Sequence, residues 1–140
     1  MPPTISLAVD PAVLADRRDR FLHQLGGAAA VIPAAPLVTH HADVEHAFRQ
    51  NSDFWYLTGF DEPGALALFL PHRPETRFVL FVQPRDPEAE VWNGFRWGCE
   101  GAVEHFGACV AHQLDEKAER LPSYREAAEG FAFRIGRHAD

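Results

Sequence analysis

A chain of 140 residues, 46% hydrophobic and 24% charged, has the size and composition of one soluble globular domain whose core needs no staples. Its formal charge of −7 speaks against nucleic acid and against anionic membrane surfaces as partners, since both require a basic face. No window approaches the roughly 18 apolar residues of a membrane span, Met1-Pro2-Pro3 lacks the basic and apolar regions of a secretory signal, and two cysteines are too few for a disulfide framework. Two reduced, partly buried thiols, Cys99 and Cys109, in a cytoplasmic protein are the expectation.

Residues 1–9 are a Pro-rich lead-in. Asp10-Pro11 is a helix start, because Asp accepts from the first free N–H groups and Pro fits the first helical position. Leu14, Arg18, Phe21, Leu22 and Leu25 follow a near-helical period. Val13 is placed with Phe21, Leu22 and Leu25 on the apolar face, and Asp16, Arg17, Asp19 and Arg20 on the charged one. Gly26-Gly27 stops the helix, which is predicted over 11–25. The small apolar run from Ala28 predicts a buried strand over 28–33, ended by Pro33 or lying at an edge. Val38 to Ala47 reads as a polar, histidine-rich loop.

The next stretch, Arg49 to Phe60, crowds Phe54, Trp55, Tyr56 and Phe60 among Gln50, Asn51 and Asp53. Burying each aromatic stabilises by about 1.5–3 kcal/mol. Polar neighbours buried with them must find partners or cost about 1–3 kcal/mol each. A partly buried strand and turn with a fixed polar network is the expectation. Asp61-Glu62-Pro63-Gly64 is a turn. Ala65 to Leu70 and Arg77 to Val82 read as central strands buried on both faces. Their connection is too short for a parallel crossover, so they are predicted to pair antiparallel. Glu90-Val91-Trp92 leads as a short strand into an Asn93-Gly94 hairpin turn. Gly98 to Ala108 resists assignment. His112 to Leu121 is predicted helical and ended by Pro122, and Gly130 to Gly136 is predicted a strand. The order helix, four strands, helix, strand is α/β with a mixed sheet flanked by helices.

Few residues carry visible chemistry. His40, His41, Asp43, Glu45 and His46 are all suitable metal ligands, but they lack the spacing of a known zinc pattern, and a solvated loop is the simpler reading. There is no nucleophile elbow, no phosphate-binding lysine after a glycine loop and no dinucleotide fingerprint at Gly94 to Gly98. Cys99 has no base beside it in sequence. Trp92 and Trp97 flank the hairpin turn. Both could pack on their own sheet, or one could stand at a hairpin tip as an aromatic contact. For Arg49 and Asp53 a structural ion pair or hydrogen-bond role is the default.

The run Arg49-Gln50-Asn51-Ser52-Asp53-Phe54-Trp55-Tyr56-Leu57-Thr58-Gly59-Phe60-Asp61-Glu62-Pro63 resembles the N-terminal domain of the bacterial Xaa-Pro aminopeptidase (aminopeptidase P) family, pita-bread metallopeptidases. Arg17-Arg18, Ala34-Ala35-Pro36 with Thr39 and Asp43, Pro84-Arg85-Asp86 and Glu90-Val91-Trp92 with Gly94 agree in order and spacing. Tyr124 to Gly136 agrees more loosely. The resemblance implies a creatinase/prolidase N-terminal-like fold with a ribonuclease H-like motif over residues 1–140, cut before its last helix, as in a gene fragment. It places the catalytic domain beyond Asp140, with two Asp, one His and two Glu holding two divalent metals, usually manganese. It thus implies no catalytic residue, no metal ligand and no cofactor in this chain itself.

The same resemblance implies that the domain partners its own C-terminal catalytic domain, builds a dimer or tetramer and walls the mouth that admits proline-containing peptides. Asp43 and Trp92 match the loop Asp and hairpin Trp that reach toward a neighbouring subunit's active site. His40, His41 and His46 depart from the family, which carries an arginine or serine and an aromatic there. A stand-alone polypeptide-binding module is the competing reading, and a metal module on the histidine loop a weaker one.

Overall fold

Asp10 opens the first helix as its sequence position requires. Its Oδ1 accepts from Ala12 N–H at 2.9 Å, and α1 runs Pro11–Leu25 until Gly26 turns out at φ 64°. The computed structural model describes residues 9–36, 50–86, 88, 96–125 and 130–133. The inward face of α1 is Leu14, Arg18 and Leu22, with Phe21 and Leu25 half-buried. Val13, expected on the apolar face, is 42% exposed. Leu14 holds the inward position and Val13 lies one residue, about 100°, away from it.

The strands are β1 (Ala28–Pro33), β2 (Leu66–Phe69), β3 (Phe78–Val82), β4 (Val110–Gln113) and β5 (Gly130–Phe133). They form one mixed sheet in the order β4-β3-β2-β1-β5. β1, β2 and β3 are an antiparallel meander, while β4 lies parallel to β3 and β5 parallel to β1. The expected antiparallel pair is therefore present, with Leu68 opposite Val79 and Ala67 opposite Leu80. β1 has a strand on each side, so Pro33 ends an interior strand, where its missing N–H falls at the last pair.

Alternation along these apolar strands sorts the core into two layers. Ala30, Ile32, Ala67, Phe69, Leu80 and Val82 face one way, toward α1, α2 (Ser52–Thr58) and α3 (Gly98–Phe106). Ala29, Val31, Leu66, Leu68, Val79 and Phe81 face the other, where Leu114, Leu121 and Tyr124 cover them. Leu114 belongs to a 3₁₀ turn (Leu114–Glu116), and the other two to α4 (Lys117–Arg125).

Two expectations are corrected, and one unassigned stretch is resolved. Residues 52–58 are helix, not strand. Asn51 O accepts from Trp55 N–H at 2.9 Å, Gly59 N–H bonds Trp55 O, and Phe54, Leu57 and Thr58 are buried at helical spacing. Residues 98–106, unassigned above, form α3, whose end is set by Gly107 at φ 80°. Residues 112–121 are not one helix: β4 ends at Gln113, and α4 begins at Lys117 and carries Pro122 inside it. A proline there removes one i→i−4 bond. Leu121 and Tyr124, three apart, both seat on the sheet and hold the helix across that gap. The Glu90-Val91-Trp92 strand and the Asn93-Gly94 turn lie outside the described residues. Cys99 is half-buried, as expected, whereas Cys109 is exposed, contrary to expectation. Among the described residues no helix is long and apolar enough to cross a membrane.

Candidate functional site

The polar groups of the aromatic-rich stretch do form a network, and Gln50 is its hub. Gln50 Oε1 accepts from Ala35 N–H at 2.7 Å and from Asn51 N–H at 3.0 Å. Gln50 Nε2 donates to the carbonyls of Phe60 at 3.2 Å and Glu62 at 3.0 Å. That uses both acceptor and both donor positions of the amide. Asn51 Nδ2 donates to Pro33 O at 3.3 Å, tying the end of β1 to the start of α2. Thr58, fully buried, donates to Phe54 O at 2.8 Å and accepts from Phe60 N–H at 3.0 Å.

Glu62 extends the hub to a third part of the chain. It is only 4% exposed, and its Oε2 accepts from Trp97 N–H at 2.6 Å. Trp97 packs edge-on to Phe106 at 4.8 Å and lies 4.9 Å from His105. The packing reading therefore holds for Trp97. Gln50 and Glu62 together join residues 35, 50, 60, 62 and 97 through side-chain bonds to backbone. In the sequence, residues 37–49 fall between Ala35 and Gln50, and residues 89–95 precede Trp97.

Two arginines of α1 fix α2 from its other end. Arg18, 8% exposed, donates to Leu57 O at 3.0 Å and stacks over Phe78 at 4.5 Å. Arg17 donates to Tyr56 O at 3.1 Å and lies 4.3 Å over the Tyr56 ring. Both carbonyls belong to the last turn of α2, where unsatisfied C=O groups and the helix dipole favour a cation. Burial lowers the Arg18 pKa, and the carboxylate of Asp19 opposes that shift. A cleft of about 450 Å³ opens between α1 and α2, with Phe21, Leu25, Ile32 and Leu57 as its floor and Arg20 and Asp53 at its rim. A second, of about 600 Å³, lies beside Gln50, Trp55, Tyr56 and Asp61.

Asp43 and Trp92, the two candidate contact residues, lie outside the described residues, as do Arg49 and the histidines His40, His41 and His46. Among the described residues no group of three His, Cys, Asp or Glu could hold a metal ion. Burial, reinforced by the charge of Glu116, pushes the Cys99 thiol pKa up, which disfavours the thiolate form. Gln50, Glu62 and Arg18 were not singled out as a set by sequence reasoning. The visible signal was the run of polar residues beside buried aromatics, which demands partners without saying which.

Comparison with known proteins converges on one group. The family model described as "Aminopeptidase P, N-terminal domain" matches residues 14–132. The Xaa-Pro aminopeptidase of Escherichia coli (strain K12) is 45% identical over 107 residues, which cover 75% of this chain and 24% of that protein. The solved structure of Pseudomonas aeruginosa aminopeptidase PepP superposes at a TM-score of 0.86 with 36% identity, covering 96% of this chain and 30% of the other. A zinc-substituted E. coli aminopeptidase P in complex with product matches at 0.75 with 39% identity, over 83% of this chain and 27% of the other. The chain thus spans about a quarter of the length of the curated relatives it matches.

Proposed function

The chain belongs to the family of aminopeptidase P N-terminal domains, and from that premise we propose that it is the non-catalytic, access-restricting domain of an Xaa-Pro aminopeptidase. In this reading the whole protein releases the first residue of peptides that carry proline second. The chemistry belongs to a separate catalytic domain with two divalent metal ions, manganese by preference, that activate water. The relative crystallised with zinc supports a metal-dependent reaction in the family. The described part of this chain offers no donor set for such a pair, so no catalytic step is assigned to it.

The observation that carries the reading is the hub. Gln50 bonds the backbone of Ala35 and Asn51, on the two sides of segment 37–49, while Glu62 bonds the backbone of Trp97, just beyond segment 89–95. One network therefore fixes described residues that flank, in sequence, both stretches holding the proposed contact residues. Asp43 and Trp92 are assigned to the mouth of a neighbouring subunit's active site. There they would contact substrate and help restrict entry to peptides with a free N-terminus. A homodimer or homotetramer in the cytoplasm is part of the same proposal.

The 140-residue chain, assayed on an Xaa-Pro peptide with added manganese, is expected to show no turnover, and turnover would overturn the non-catalytic assignment. In the whole protein, Asp43→Ala and Trp92→Ala are each expected to lower kcat/KM by about 10–100-fold, or roughly 1.4–2.7 kcal/mol of transition-state binding, at unchanged thermal stability. Mixing either variant with one lacking a metal ligand should restore part of the activity, because site and contact residues come from different subunits. No recovery in mixed oligomers would place those residues elsewhere.

A further inference from the structure

The second face of the sheet carries a polar cluster that the proposed function does not use. His112, at the end of β4, is 11% exposed in its side chain. Its ring lies between Phe81 of β3, at 5.2 Å, and Tyr124 of α4, at 5.8 Å. His112 Nε2 is 2.7 Å from the Tyr124 hydroxyl, and Nδ1 is 3.8 Å from Glu116 Oε1. That same carboxylate oxygen accepts from Arg120 Nε at 2.5 Å. We propose that α4 is a pH-sensitive latch over the second face, with His112 as the sensor and Tyr124 as the group it holds.

The charges around the ring decide the sign. β3 brings no ionisable side chain, since it reads Phe78-Val79-Leu80-Phe81-Val82. The 3₁₀ turn brings Glu116, and α4 brings Arg120 and Tyr124. Arg73, from the β2–β3 connection, lies 5.7 Å over the Tyr124 ring. Among the described residues around the ring, Glu116 is the group that would welcome an imidazolium, and Arg120 already engages it more closely. A neutral ring suits the cluster: with the proton on Nδ1, toward Glu116, Nε2 is free to accept from the Tyr124 hydroxyl.

Burial first and Arg120 second hold the His112 pKa below its ordinary value of 6.5, and Glu116 only partly offsets them. When α4 lifts away, the ring meets water and titrates normally. Docking is therefore strongest above about pH 6.5 and weakens as the pH falls from there through the lower, docked value. Each unit of downward displacement corresponds to a tenfold loss in the docking equilibrium. Leu121 and Tyr124 leave together, and the faces of Val31, Leu68 and Phe81 are uncovered.

The test is amide hydrogen exchange on the 140-residue chain between pH 7.5 and 5, corrected for intrinsic rates, reading Leu121, Ser123 and Tyr124 against Leu68 and Leu80. The α4 amides are expected to lose protection on acidification while the β2 and β3 amides keep theirs. His112→Gln, neutral throughout, is expected to abolish that difference. An unchanged slope in His112→Gln, or none in the parent chain, overturns the latch. Should the variant fail to fold, an NMR titration of His112 in the parent chain decides. A midpoint below 6.5, matched by a tenfold rise in α4 opening per unit, supports the latch, and a midpoint at or above 6.5 ends it.

Discussion

Gln50 shows how one uncharged side chain can hold several backbone segments in place. Its four bonds satisfy two N–H donors and two carbonyls that no strand or helix partner reaches. Gln50→Leu keeps most of the volume and strips all four partners at once. It is expected to destabilise by about 2–4 kcal/mol, read as a lower urea midpoint with unchanged slope. Gln50→Glu should be comparably damaging above its own pKa, because a carboxylate oxygen would replace the Nε2 donor opposite the carbonyls of Phe60 and Glu62. An amide at this position could be recognised from sequence as needing partners, since it sits beside Phe54 and Phe60. Which backbone groups it meets depends on chain crossings that only the fold supplies.

At the scale of elements, β1, β2 and β3 were legible because continuous apolar runs between proline and glycine breaks admit few alternatives. α1 was legible from Asp10-Pro11 at one end and Gly26-Gly27 at the other. α2 was misread for a physical reason: consecutive aromatics favour strands by propensity, but here they serve three different environments. Phe54 is buried, Trp55 half-buried and Tyr56 48% exposed, as the 100° step of a helix distributes them. Gly59 was the overlooked stop signal. It adopts φ 66°, which favours glycine, and a Cβ there would meet Leu14 Cδ1 at 2.8 Å, so the buried Leu14 side chain would have to shift. Gly59→Ala is expected to cost about 1–3 kcal/mol and to lower Tm by roughly 5–15 °C in a thermal melt. A variant within about 1 °C of the parent would show that α1 shifts freely, contrary to the packing of Leu14. β4 was missed because it is short and only half-buried and carries His112 and Gln113, so its apolar signal is weak; its place comes from pairing with β3.

For the molecule as a whole, the sheet is asymmetric in two ways. α1, α2 and α3 crowd one face, whereas α4 and its preceding turn cover the other among the described residues. The antiparallel meander sits in the middle and parallel strands flank it. β2 and β3 are buried along their whole length, while β4 is half-buried with Gln113 exposed. Native-state hydrogen exchange should follow that gradient. Leu68 and Leu80 are expected to exchange only by global unfolding, and Ala111 by a smaller opening at least tenfold more frequent. Equal protection across β2, β3 and β4 would mean that α3 ties β4 into the same cooperative unit. The Gln50 hub has one more consequence, for engineering. The Gln50 amide bonds both Ala35 and Asn51, the described residues on either side of 37–49, and so holds those two points together. Doubling the length of a flexible span closed at such an anchor adds only about 0.6 kcal/mol of closure entropy, so insertions between these two points are expected to be tolerated.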